Sequence, residues 1–135
     1  MIYLDTSALV KLIVREAESA DLQRWLADAH DRDHVTSAVA RVELMRTVLR
    51  SGDAEIVAGA QRILDEDLDI LAVTDEVIGA AETIGPKSLR SLDAIHLASA
   101  AQLADALTTV VAYDHRLIAG CRDLGYPVES PGAAG

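Results

Sequence analysis

The chain opens on three apolar residues, Ile2, Tyr3 and Leu4, followed by an acid, and then keeps its apolar positions at helical spacing over about 6–14. The first run reads as a short buried strand and the second as a helix. Leu22, Trp25, Leu26 and Ala29 repeat that spacing, which predicts a helix over about 17–30. "HVTS" at 34–37 is a brief strand ending on Ser37, a residue type suited to cap a helix. That helix runs to about residue 50, with Ala38, Val42, Met45 and Leu49 as its expected inner face. Beyond Gly52 and Asp53, the residues Ile56, Val57, Ala60, Ile63 and Leu64 mark another amphipathic helix. "DILAV" at 69–73 is a strand, and Thr74 caps a helix carrying Val77, Ile78, Ala81 and Ile84, which Gly85 and Pro86 stop. A very apolar helix follows over about 92–106, then the apolar strand "TVVAY" at 109–113. A last helix over about 116–124 ends at Gly125, and "YPVE" is a candidate edge strand.

Strands that alternate with helices and are apolar on both faces belong to a parallel sheet covered on both sides. The expected fold class is therefore α/β, a three-layer α/β/α domain with a short central parallel sheet. Ligands in such sheets bind beyond the carboxyl ends of the strands, where the strand order reverses. No internal repeat or low-complexity linker divides the 135 residues, so one domain over 1–128 is expected. The remainder, 129–135 ("ESPGAAG"), is expected to be a flexible tail.

Composition narrows the picture. Half of the residues are hydrophobic, yet the chain has one tryptophan, three tyrosines and no phenylalanine, so the core is aliphatic. The single cysteine, Cys121, shares an apolar stripe with Leu117, Ile118 and Leu124, and is expected to be a buried, inert thiol in a reducing compartment. Asp5, Lys11 and Arg15 interrupt the first apolar run as no signal peptide would tolerate, and no stretch approaches a membrane span. A cytoplasmic protein without membrane partners is expected. The net charge of −10 excludes a broad basic surface for nucleic acid, and so few aromatics exclude a platform for stacking bases. An acidic protein can still cleave nucleic acid where cations neutralise its site, and its surface suits a basic protein partner.

Four acids carry the chemistry. Asp5 directly follows the first strand and Asp114 directly follows "TVVAY", so both fall at the carboxyl edge of the sheet. Asp93 lies in the first turn of the apolar helix, and Glu43 in the second turn of the helix after Ser37. Each has a plain structural role open to it. Asp5 and Asp114 stand where an N-cap belongs, Asp93 suits a helix dipole, and Glu43 could pair with Arg46 or Arg50 on the surface. Taken together, they can converge on one pocket, and four like charges there call for a divalent cation. All-oxygen donors without thiolate favour Mg²⁺ or Mn²⁺ over Zn²⁺. Thr6 and Ser7 suit either capping or holding a carboxylate, a water or a phosphate.

The ordered set "IYLDTSALVKL", "SAVARVELMRT", "LRSLDAIHLASA" and "VVAYDHRLIAGCRDLGYPVESPG" resembles PIN-domain ribonucleases, most closely the VapC-type toxins of bacterial VapBC toxin–antitoxin pairs. The resemblance spans essentially the whole chain. It implies a Mg²⁺- or Mn²⁺-dependent endoribonuclease acting on single-stranded or looped RNA, with the family's metal-binding acids falling on Asp5, Glu43, Asp93 and Asp114. It also implies hydrolysis leaving a 5′-phosphate and a 3′-hydroxyl, a cognate antitoxin partner, a homodimer, and larger toxin–antitoxin complexes. Ala112 stands where the family often has a threonine two residues before the last aspartate.

The histidines carry less. His96, three residues after Asp93 on the same helical face, could bind zinc, but is expected to be a core histidine satisfied by its neighbours. His115 is expected at the surface, His30 and His34 around a solvated turn, and Arg90 either near substrate phosphate or simply exposed. Two other readings of the residues stay open at this point. One is a metal-dependent phosphatase or receiver-like domain, although the paired acids and the lysine of a receiver are missing. The other is a non-catalytic α/β interaction module whose acids only cap helices.

Overall fold

The computed structural model describes residues 1–134 and contains one five-stranded sheet whose paired strands all run parallel. The strands are β1 (Ile2–Leu4), β2 (His34–Ser37), β3 (Asp69–Leu71), β4 (Thr109–Val111) and β5 (Val128–Glu129), in the order β3-β2-β1-β4-β5. The chain steps outward from β1 to β2 to β3, then returns to the other side of β1. The order therefore reverses between β1 and β4, and the crevice of the fold lies beyond their carboxyl ends.

Alternation along these strands divides two aliphatic cores. Ile2, Leu4 and Val111 face α1 (Thr6–Ile13), α2 (Ser19–Asp28), α3 (Ala38–Leu49) and α4 (Ala54–Arg62), against Leu9, Leu22, Leu44 and Leu64. Tyr3, Val35 and Val110 face the other way, toward α6 (Ser91–Ala101) and α7 (His115–Asp123), against Leu97, Leu117 and Cys121. The helix α5 (Asp75–Ala81) packs on α6. A three-layer α/β/α arrangement results, as the apolar pattern requires. Cys121 is buried, and that burial pushes its thiol up to about 12.

The inner face of α3 differs from the expected one. Ala40, Leu44 and Val48 are buried, whereas Val42 is 63% and Leu49 51% exposed, and only Met45 of the expected four packs on the core. This helix is apolar on two stripes, so its pattern holds no polar face to fix the phase. Several elements are also shorter than their apolar runs. The strand β4 stops at Val111, before Ala112 and Tyr113, and α6 stops at Ala101, before a separate turn of 3₁₀ helix at Ala104–Ala106. Gly85 has φ +72°, a left-handed conformation, and a Cβ there would lie 2.6 Å from Leu89 Cδ1, so the chain turns where only glycine fits.

Glu129, Ser130 and Pro131 stay beside the sheet. Ser130 Oγ donates to Ala112 O at 2.5 Å, and Tyr113 Oη donates to Pro131 O at 2.7 Å; Gly135, the end of the expected tail, lies outside the described residues. No helix among the described residues is long and apolar enough to cross a membrane.

Candidate metal centre

Asp5 sits at the end of β1, fully enclosed, and is the N-cap of α1: its Oδ1 accepts the Ala8 N–H at 2.9 Å. Its carboxylate also accepts from Ser7 Oγ, which lies 2.6 Å from Oδ1 and 2.8 Å from Oδ2. Ser7 Oγ in turn accepts the Tyr113 N–H at 2.9 Å, so one hydroxyl ties the ends of β1 and β4 across the switch point. Burial raises the Asp5 carboxyl to about 6, since removing the ion from water costs more than the bonds from Ser7 and Ala8 and the nearby His96 return; Asp114 adds to the rise.

Asp114 caps α7, its Oδ1 accepting from Arg116 N at 2.9 Å and Leu117 N at 3.2 Å. Asp93, the third residue of α6, reaches back with Oδ2 to the Arg90 N–H at 3.3 Å. Partial burial raises the Asp93 carboxyl; the Arg90 N–H opposes this and repulsion from Asp114 adds to it. Three acids from three helix starts thus feel one another through Asp114. Each is a cap, and capping engages one oxygen of Asp93 and one of Asp114. Oδ1 of Asp93 and Oδ2 of Asp114 accept no hydrogen bond among the described residues. Cap and ligand are compatible roles for these residues.

Glu43 enters from α3 by a different route. Its Oε1 accepts from Thr6 Oγ1 at 2.7 Å and lies 2.8 Å from His96 Nε2. Half-burial acts to raise this carboxyl, but the bonds from His96 and Thr6 outweigh it and hold Glu43 below the usual glutamate range. His96 is buried, with Nδ1 2.6 Å from Tyr3 Oη, and matches the satisfied core histidine expected of it. Tyr3 was not legible as part of this network, because a tyrosine in a buried strand reads as core. The usable signal is a phenol and an imidazole each set in an apolar run. Arg116 is likewise a late arrival, close enough to lower Asp93. His30 and His115 are exposed, and His34 begins β2 at the opposite edge of the sheet.

The donor chemistry fits a hard dication: oxygen ligands only, one enclosed carboxylate without a cationic side chain bonded to it, and the charge of Asp114 adding to the rise of Asp5 and Asp93. Among the described residues, no three His, Cys, Asp or Glu side chains stand close enough to hold an ion as they are placed. Asp93, Asp114 and Glu43 are partly exposed, whereas Asp5 is enclosed. None of the four lines either of two grooves of about 700 and 660 Å³. The first of these, between α5 and the start of α6, is lined by Lys87 and Arg90. A shallow acidic site at an open edge suits an extended substrate better than a small molecule held in a cavity.

The chain matches the PIN domain family over residues 2–121. It is 54% identical to Ribonuclease VapC47 of Mycobacterium tuberculosis over 135 residues, covering 98% of each chain. Its fold is similar to the crystal structure of VapC20 from Mycobacterium tuberculosis, a toxin that cleaves the sarcin-ricin loop, with a TM-score of 0.73 at 20% identity, covering 93% of this chain and 96% of that one. It is also similar to VapBC2 from Rickettsia felis bound to a DNA fragment from its promoter, with a TM-score of 0.66 at 19% identity, covering 96% of this chain and 98% of that one.

Proposed function

The chain belongs to the PIN domain family and, within it, to the VapC-type toxins, and we propose that it is the toxin of a type II toxin–antitoxin pair. It is an endoribonuclease that cleaves single-stranded or looped RNA with Mg²⁺ or Mn²⁺ held by Asp5, Glu43, Asp93 and Asp114. The observation that carries this reading is the pairing of a helix cap with an uncommitted carboxylate oxygen at the β1/β4 switch point. A divalent cation supplies there an activated water and positive charge against the phosphodiester.

The chain's own residues do the rest. Ser7 and the Ala8 N–H hold Asp5 in one orientation, so a ligand can form without first ordering the enclosed carboxylate. Capping bonds hold Asp93 and Asp114 by one oxygen and leave the other to turn outward. Lys87, Arg90 and Arg116 form no ion pair with a carboxylate among the described residues, although the protein carries a net charge of −10. They are free to take RNA phosphates beside Asp93, which is how so acidic a protein binds a polyanion. The same acids suit an antitoxin segment that places an arginine among them, with its planar fork on the carboxylates. Homodimers and antitoxin-bound hetero-oligomers in the cytoplasm complete the proposal, and a likeness to the fold of VapBC2 supports it.

The test is cleavage of a loop-containing RNA by purified protein. Activity is expected with Mg²⁺ or Mn²⁺, lost in EDTA and lost in Asp114→Asn. Full cleavage in EDTA, with metal content measured as negligible, would overturn the mechanism.

A further inference from the structure

Thr6, His96 and Tyr3 surround Glu43 and fix more than its position. The Tyr3 phenol is fully buried and its ring meets the His96 imidazole edge-on, with centroids 5.8 Å apart and planes at 79°. Burial pushes the phenol above its ordinary value, so its oxygen keeps its proton and donates it. The phenol oxygen lies 2.6 Å from His96 Nδ1, which can accept that proton. On the far side of the ring, Nε2 faces Glu43 Oε1 at 2.8 Å, a carboxylate oxygen that can only accept. One tautomer satisfies both ends, with the proton on Nε2 and the lone pair on Nδ1. Thr6 Oγ1 lies 3.2 Å from Nε2 and gives its own proton to Glu43 Oε1. Two donors therefore converge on Oε1, while Oε2 accepts none among the described residues.

We propose that His96 is the positioning residue of the acidic pocket: held at Nδ1 by Tyr3 and carrying its proton on Nε2, it pins Glu43 by Oε1 and keeps Oε2 available to a divalent cation. This rests on the metal reading of the four acids. It differs from zinc ligation by His96, because both ring nitrogens are already engaged and neither faces outward with a free lone pair. Glutamate on a helix has three side-chain torsions to order, and a buried imidazole is a stiffer anchor than water. Partners of this kind typically change metal affinity 10–100-fold, about the effect expected here.

The experiment is a Mn²⁺ titration by calorimetry on the parent, His96→Ala, His96→Gln and Tyr3→Phe, beside ¹⁵N NMR of the metal-free imidazole. His96→Ala is expected to weaken Mn²⁺ binding by about 10–100-fold. His96→Gln places an N–H donor near the Nε2 position and is expected to recover most of that loss. The parent spectrum is expected to show a protonated Nε2 and an unprotonated Nδ1, and Tyr3→Phe to leave Nδ1 without its hydrogen-bond donor and weaken binding less than His96→Ala. If His96→Ala does not fold, His96→Gln and Tyr3→Phe still decide. A parent that binds Mn²⁺ while the His96 variants bind equally well overturns the positioning role alone, as does a glutamine variant as impaired as any truncation, or a parent with the proton on Nδ1. A parent without saturable Mn²⁺ binding overturns the metal reading itself and this role with it.

Discussion

Replacing Asp5 by asparagine separates the cost of burying a charge from the benefit of capping a helix. The folded carboxyl titrates at about 6 against 3.8 for the free side chain, a difference of about 2 units. At about 1.4 kcal/mol per unit this is about 3 kcal/mol against the ionised, metal-free fold. Between about pH 4 and 6 the folded chain keeps a proton that the unfolded chain has released, so this penalty grows, and stability falls, as pH rises. It is absent below the unfolded value and complete above the folded one. Asparagine caps about as well as aspartate, and its Oδ1 can still accept from Ala8 N and Ser7 Oγ. Its amide would stand where Oδ2 lies 2.8 Å from Ser7 Oγ and can donate to that oxygen. Little packing or hydrogen bonding is lost.

The assay is urea unfolding of parent and Asp5→Asn in EDTA, from about pH 4 to 7.5. The variant should gain little at the acid end and about 3 kcal/mol at the neutral end, a midpoint shift of roughly 1–2 M urea. Glu43, held below its usual range, titrates in the opposite sense, but in both proteins. The difference between them therefore isolates Asp5. A difference that is flat with pH, or a variant less stable than the parent at about pH 7.5, refutes the reasoning.

Two further outcomes follow from the same geometry. In α3, Leu44→Ala should cost about 2–5 kcal/mol in urea unfolding, while Val42→Lys should stay within about 0.5 kcal/mol, because Leu44 is buried and Val42 exposed; equal costs would return the helix to the phase its sequence suggests. Ser7→Ala leaves the Tyr113 N–H without its acceptor and removes a donor from Asp5, so stability should fall by about 1–3 kcal/mol and the Asp5 titration, followed by carboxyl ¹³C NMR, should move further up; an unmoved titration would show the hydroxyl to be idle.

The sheet was legible because its strands are apolar on both faces, which only a covered parallel sheet accommodates. Helix starts were legible too: Ser37 accepts from Val39 N and Thr74 from Val77 N, as their residue types suggested. The phase of α3 was not. Two apolar stripes compete on that helix, and the choice is made by what the sheet and α1 press against it. The Tyr3–His96–Glu43 chain was out of reach for a different reason. Tyr3 and His96 are 93 residues apart and meet only once β1 and α6 are packed, so no local pattern encodes the pair. His96 alone could be placed, as a buried histidine that needed partners, while their identity depended on tertiary structure.

The acid between two apolar runs at the start of the chain follows from where the fold turns. A parallel strand that feeds a helix ends with unpaired N–H groups, and an aspartate there satisfies one with a single oxygen. At an ordinary strand end water would solvate the remainder. At the β1/β4 switch point the neighbouring strand end delivers Asp114, and α6 brings Asp93 up beside it, so the caps crowd one another. Burial raises Asp5 and Asp93, and repulsion from Asp114 adds to both. Local helix chemistry thus assembles a cluster that is destabilised as long as its charges face only each other. Uncommitted oxygens on Asp93 and Asp114 are the means of relief, and a cation or an incoming arginine fork would satisfy the same oxygens. On this account, substrate cleavage and antitoxin inhibition compete for one electrostatic deficit, and Asp5→Asn should weaken both Mn²⁺ and antitoxin binding.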